Sequence, residues 1–116
     1  MPSAKAIRAY WAPKLWERKG YYSAEDFVAE GACFACGRIW GRADLERAHI
    51  LPVCEGGSDS VENLHLLCHL CHKDSEFKHG ERYWQWFYSR TPDDAFISLL
   101  VRTGHNASEY MSRGCI

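Results

Sequence analysis

The sequence predicts a small α+β domain. Three observations predict it: helix-forming patterns at both ends, a middle stretch from Cys33 to about Cys54 where the helical period disappears, and two Cys-x-x-Cys pairs bracketing that stretch. At 116 residues, 47% hydrophobic and 25% charged, the chain suits a single domain with one core. Five Trp, six Tyr and five Phe are available to fill it. A domain this small gains from an added staple, and the cysteines are the candidates for it.

Taken in order, Ser3 can cap a helix through AKAIRAYWAPKLWERKG that sets Ile7, Tyr10, Trp11 and Leu15 on one face, with Pro13 expected to kink or divide it. Ser23, followed by Glu25 and Asp26, starts a short second helix that Gly31 ends. From Cys33 to Cys54, Gly37, Gly41, Pro52 and Gly56-Gly57 punctuate short runs, the pattern of hairpins and loops. Asn63-Leu64-His65-Leu66-Leu67 then leads into a helix expected to carry Cys68, Cys71 and His72. A further helix is expected over Glu81 to Arg90, its YWQWFY rings serving as core. Thr91 as cap and Pro92 at the first position begin the last helix, which Gly104 stops. The organisation is therefore one domain over 1–116: a helical arm at 1–31, a core at 32–79 and C-terminal helices at 80–116.

No stretch has the 7–15 apolar residues of a signal peptide or the roughly 20 that span a bilayer, so a cytoplasmic protein without membrane contact is expected. In that compartment paired cysteines read as metal ligands before disulfides. Cys33, Cys36, Cys68 and Cys71 supply four soft thiolates, the donor set of a closed, structural Zn2+ site. Such a site has no open position for hydrolysis. Cys54 and Cys115 belong to neither pair and read as ordinary thiols. The formal net charge of -1 excludes a chain that attracts nucleic acid as a whole, so any such contact must be local. Lys5, Arg8, Lys14, Arg18 and Lys19, against Glu17 alone, form one local candidate; a solvated helix face is the alternative.

Between the cysteine pairs lies ERAHILPVCEGGSDSVENLHLLCHLCHKDS. Its His-Ile-x-Pro run, Gly-Gly turn, Asn-Leu pair and Leu-Cys-x-x-Cys-His end resemble the HNH endonuclease signature over residues 33 to about 75. The resemblance implies a ββα-metal fold with a groove against a nucleic-acid backbone, DNA as partner with RNA left open, and a catalytic Mg2+ or Mn2+ separate from the zinc. It also implies a bacterial or phage setting, and products with 5'-phosphate and 3'-hydroxyl ends.

By position, His49 matches the first His, Asn63 the Asn and His72 the last His. The chemistry suits them. A histidine can accept a proton from water near neutral pH, and one hard cation can neutralise the charge gathering at phosphorus and the leaving oxygen. His49 is thus the expected base and His72 the first ligand. Asn63 either binds the ion or hydrogen-bonds across the Gly-Gly loop. Many relatives carry Asp or His just before the base, whereas this chain has Ala48. Glu46, two residues earlier on the same strand face, is the candidate replacement ligand. Glu55, Asp59 and Glu62 are expected to face water, and His65, His69, His79 and His105 match no motif position. The rival reading is a non-catalytic, zinc-stabilised module that binds nucleic acid or protein; Ala48 favours it, and the retained His49, Asn63 and His72 oppose it.

Overall fold

A computed structural model describes residues 1–38 and 45–103. Helix α1 (Ala4–Leu15) opens as expected, with Ser3 Oγ accepting from the Ala6 N–H at 3.1 Å. It stops at Leu15 instead of reaching Gly20. Pro13 sits in its last turn, where the missing N–H and the pyrrolidine ring oppose further helix, and turns follow. Ile7, Trp11 and Leu15 enter the core, while Tyr10 stays half-buried. Helix α2 (Ala24–Glu30) runs from its Ser23 cap to Gly31, whose φ of 65° makes a left-handed stop.

Strands β1 (Leu45–His49) and β2 (Leu64–Cys68) pair antiparallel, with Leu45 opposite Cys68 and His49 opposite Leu64. Here the structure corrects the sequence reading. Cys68 ends a strand and caps helix α3 (His69–Ser75) without being part of it. All five β2 residues are buried, so the strand has no polar alternation by which to recognise it. Its far edge is covered by the first cysteine turn, where the Phe34 N–H donates to the Leu66 carbonyl at 2.9 Å. The Trp11 indole N–H reaches the Leu64 and Val61 carbonyls at 2.7 and 2.9 Å, fastening α1 to the entry of β2.

Helix α4 (Glu81–Ser89) supplies core rings, as expected: Tyr83 and Phe87 are buried, with Trp84, Trp86 and Tyr88 packed against them. Helix α5 (Pro92–Thr103) begins at the predicted cap, Thr91 Oγ1 accepting from the Asp94 N–H at 3.2 Å. It places Ala95 in the core and leaves Phe96, Ile97 and Val101 exposed. The predicted stop at Gly104, together with Gly41, His105 and Cys115, lies outside the described residues. Among the described residues no helix is long and apolar enough to cross a membrane.

Two internal features hold these elements together. The first is the cysteine cluster: Cys33 and Cys36 come from a turn closed by the Gly37 N–H on the Cys33 carbonyl, Cys68 from the end of β2 and Cys71 from the first turn of α3. All four are buried, and their sulfurs lie within 4.8 Å of one another. Four convergent soft donors fit a tetrahedral zinc ion, which this cluster could hold. The Arg90 guanidinium donates from Nε to Cys71 Sγ at 3.3 Å and from Nη2 to Asp74 at 2.7 Å and Ser98 at 3.0 Å, tying α3, α5 and the cluster together.

The second feature is His65, which is fully buried. Its Nδ1 lies 2.6 Å from the Tyr83 hydroxyl, Phe87 stacks on it at 4.4 Å, and Trp11 meets it edge-on at 4.6 Å. Burial, helped by the nearby Lys19 charge, lowers its pKa to about 3.

Two predictions follow from this packing. Purified protein should carry one zinc per chain by metal analysis, and Cys36→Ser should unfold it, because structural zinc contributes on the order of 10 kcal/mol of apparent binding free energy. A folded, zinc-free sample would contradict the clamp. For His65, the depressed folded-state pKa means that below pH about 6.5 the unfolded chain binds a proton that the folded chain refuses. Stability should therefore fall by about 1.4 kcal/mol per pH unit as the pH drops from there toward 3, on top of any loss shared with a His65→Phe variant. Urea unfolding of both proteins at pH 7.5 and 5.5 measures the difference, and equal pH dependence would refute it.

Candidate nuclease site

The site is built where β1 ends, where the loop from Ile50 to Asn63 folds back, and where α3 begins. The loop is organised by one side chain. Asn63 Oδ1 accepts from the Leu51 N–H at 2.8 Å, while its Nδ2 donates to the Leu51 carbonyl at 3.0 Å and the Ser58 carbonyl at 2.8 Å. These bonds close the loop over the Gly-Gly turn. Gly56 takes a left-handed φ of 92°, and a Cβ on Gly57 would lie 1.8 Å from the Leu51 carbonyl oxygen, so each glycine is required for its own reason. Of the two roles open to Asn63, the geometry displays the loop-closing one.

His49 leaves the end of β1 toward this loop, and its Nε2 meets Asp59 Oδ1 at 2.7 Å. A carboxylate can only accept, so Nε2 carries the hydrogen and the neutral ring keeps its lone pair on Nδ1. Asp59 was expected simply to face water; it is exposed, yet its carboxylate is on His49. Glu55 differs from expectation in the same way, its Oε2 lying 2.9 Å from His79 Nδ1.

On the facing side, His72 follows Cys71 on α3, and its Nδ1 lies 2.6 Å from Glu46 Oε1. The second Glu46 oxygen is 3.1 Å from His69 Nδ1. Burial raises the Glu46 pKa, but the hydrogen bonds and charges of His72 and His69 outweigh it and hold the carboxyl below its ordinary range. With Nδ1–H given to Glu46, His72 keeps Nε2 as a donor for a ligand, the arrangement by which outer carboxylates orient metal-binding histidines. Ala48 is 2% exposed and belongs to the core.

His49, His72, His79 and Lys78 line one groove of about 250 Å³. The structure thus brings His49 and His72 to a common space, sets Glu46 behind His72 and uses Asn63 to shape the loop. His69 and His79, which match no motif position, are the histidines that sequence reasoning missed. Their partners Glu46 and Glu55 come from distant segments, so no local pattern announces them. Arg47 and Lys73 bond to the Pro2 carbonyl and Glu76 respectively. Cys54 borders the groove.

Among the described residues, the four cysteines are the one set of three or more His, Cys, Asp or Glu side chains whose donor atoms all lie within 4.8 Å of one another. The groove itself offers His72 Nε2, with room for water or phosphate oxygens, while the Glu46 carboxylate stands behind the His72 ring.

No curated protein matches the chain significantly. Residues 33–84, however, match the family described as HNH endonuclease. The matched segment contains both cysteine pairs, both strands, α3 and each groove residue named above. The similarity to the HNH endonuclease family is therefore carried by residues 33–84.

Proposed function

We propose that this groove hydrolyses phosphodiester bonds in DNA with the help of one divalent ion, Mg2+ or Mn2+. The observation that carries the reading is the meeting of His49 and His72 in one groove, each backed by a carboxylate, Asp59 and Glu46. His49 Nδ1 accepts a proton from a water as its oxygen attacks phosphorus. The P–O bond to the 3' oxygen breaks, and that oxygen leaves as a 3'-hydroxyl after taking a proton from solvent, with the phosphate kept on the 5' end. Asp59 holds the His49 ring and stabilises the imidazolium that forms. His72, through Nε2, is the residue that would hold the divalent ion, with Glu46 fixing its ring from the Nδ1 side. Once bound, the ion supplies positive charge for the phosphate and for the leaving oxygen. Asn63 keeps the loop, and with it Asp59, against the end of β1. The four-cysteine site, saturated by thiolates, supports the frame and takes no part in hydrolysis.

One observation favours a second reading, a zinc-stabilised module that binds nucleic acid or protein without cutting it: Ala48 is buried and offers no donor where relatives present a ligand. Incubation of the protein with supercoiled plasmid, with and without Mg2+ or Mn2+, separates the two. The nuclease reading expects ion-dependent relaxed or linear DNA; an intact plasmid under all conditions supports the module.

Two substitutions sharpen the test. His49→Ala should lower the cleavage rate by about 10²–10⁴-fold with zinc content and helical circular dichroism unchanged, and wild-type cutting by that variant would remove His49 from the mechanism. Glu46→Gln should raise the Mg2+ concentration needed for cleavage about tenfold, the equivalent of losing about 1.4 kcal/mol of ion binding. An unchanged metal dependence would remove Glu46 from the support of the ion site.

A further inference from the structure

A different cavity lies away from this groove. It has a volume of about 590 Å³, shares no lining residue with the His49 groove, and is bordered by Arg18, Lys19, Asp26, Tyr22, Tyr88 and Arg90. That volume falls within the roughly 300–1,000 Å³ range of small-molecule sites.

The side chains divide by what already occupies them. Arg90 is committed to Cys71, Asp74 and Ser98. Lys19 is turned inward, its Nζ donating to the Phe87 carbonyl at 2.8 Å. Arg18 is exposed, pairs with no carboxylate among the described residues, and lies with its guanidinium 3.5 Å from the centre of the Tyr88 ring. Packed on Tyr88, the guanidinium gives one face to the ring and keeps its other face and its edge N–H donors for a ligand. Tyr22, at another border of the same cavity, is 93% exposed. An outward cation with its donors spare, an extended stacking surface and a bare ring are the features by which single-stranded nucleic acid is held, phosphate on the cation and base on the rings.

We propose that this cavity binds an unpaired nucleotide of a nucleic-acid strand, its phosphate on Arg18 and its base stacked on Tyr22 or on the exposed face of the Arg18 guanidinium. The proposal rests on the nuclease reading for its choice of ligand class. It would give the domain a second hold on its substrate, one selective for unpaired flanks, since a base inside a duplex has no free face to stack. DNA and RNA share the chemistry.

The test is fluorescence anisotropy of labelled 12-nucleotide single-stranded DNA, the same sequence as RNA, and a blunt DNA duplex. These are titrated with the full chain without added divalent ion, so that binding is read apart from cleavage. Wild type should bind at least one of the single strands more tightly than the duplex. Arg18→Glu should weaken that binding about tenfold and flatten its salt dependence by about one phosphate contact. Tyr22→Ala should weaken it about tenfold with the salt dependence unchanged, as loss of a stacked base does. Both positions are exposed, and circular dichroism confirms the fold of each variant. Equal affinity for the blunt duplex, or wild-type affinity for both single strands in both variants, overturns the proposal. A parallel plasmid assay keeps the two claims apart: cleavage without variant-sensitive binding sinks the cavity and spares the nuclease, and variant-sensitive binding without cleavage does the reverse.

Discussion

Four sulfurs buried within 4.8 Å of one another set the geometry of everything around them. Thiolates at that spacing repel. Hydrogen bonds to Cys33 and Cys36 push the Cys68 and Cys71 thiols well up, and a doubly charged soft ion among the four relieves the conflict. The constraint propagates in short steps. Cys33 and Cys36 hold a turn against one edge of β2, where the Phe34 N–H reaches Leu66. Cys68 and Cys71 straddle the junction of β2 and α3, which fixes where the helix starts and hence where His72, the next residue, points. On the other edge of β2 the strand register places His49 opposite Leu64 and Glu46 opposite Leu67. The separation of Glu46 from His72, 2.6 Å across 26 residues of sequence, is thus a product of the clamp and the ladder together.

The loop between the strands obeys a smaller, polar version of the same logic. Three hydrogen bonds from Asn63, each contributing about 1 kcal/mol in net terms, replace a hydrophobic core that a loop of this length does not have. They work only because Gly57 lets the Leu51 carbonyl come close. The loop in turn delivers Asp59 to His49. His49 and His72 therefore each have a carboxylate on one ring nitrogen, which selects the tautomer and leaves the other nitrogen for chemistry.

What the sequence disclosed follows the range of the interactions. Ser3, Ser23 and Thr91 cap helices through bonds to residues three positions on, so their signals are local and the helices were legible. The cysteine spacing and the His-Asn-His pattern were legible because each requires particular residue types at fixed intervals. Strand β2 was not, since a fully buried strand of Leu, His, Leu, Leu and Cys reads as well as the start of a helix. The pairs His49–Asp59, Glu46–His69 and Glu55–His79 form only after the loop and the clamp have brought their segments together, and nothing in the intervening residues marks them. The Arg18–Tyr88 stack likewise joins the turn after α1 to the end of α4. The basic run from Lys5 to Lys19, by contrast, does not act as one surface. Lys5 is exposed, Arg8 is half-buried, and Arg18 and Lys19 line a cavity.

The central claim is that a zinc-held frame presents His49 and His72 to one divalent ion site. Paramagnetic broadening by Mn2+ in imidazole-selective NMR spectra of the zinc-loaded protein tests it most directly. Mn2+ well below one equivalent should broaden the His72 ring resonances first and those of His49 next, while those of His65, enclosed by aromatic rings, stay sharp until far more Mn2+ is added. If one equivalent of Mn2+ leaves His72 and His49 sharp, or broadens His65 as much as either, the histidines do not share an ion site and the account of the groove is wrong.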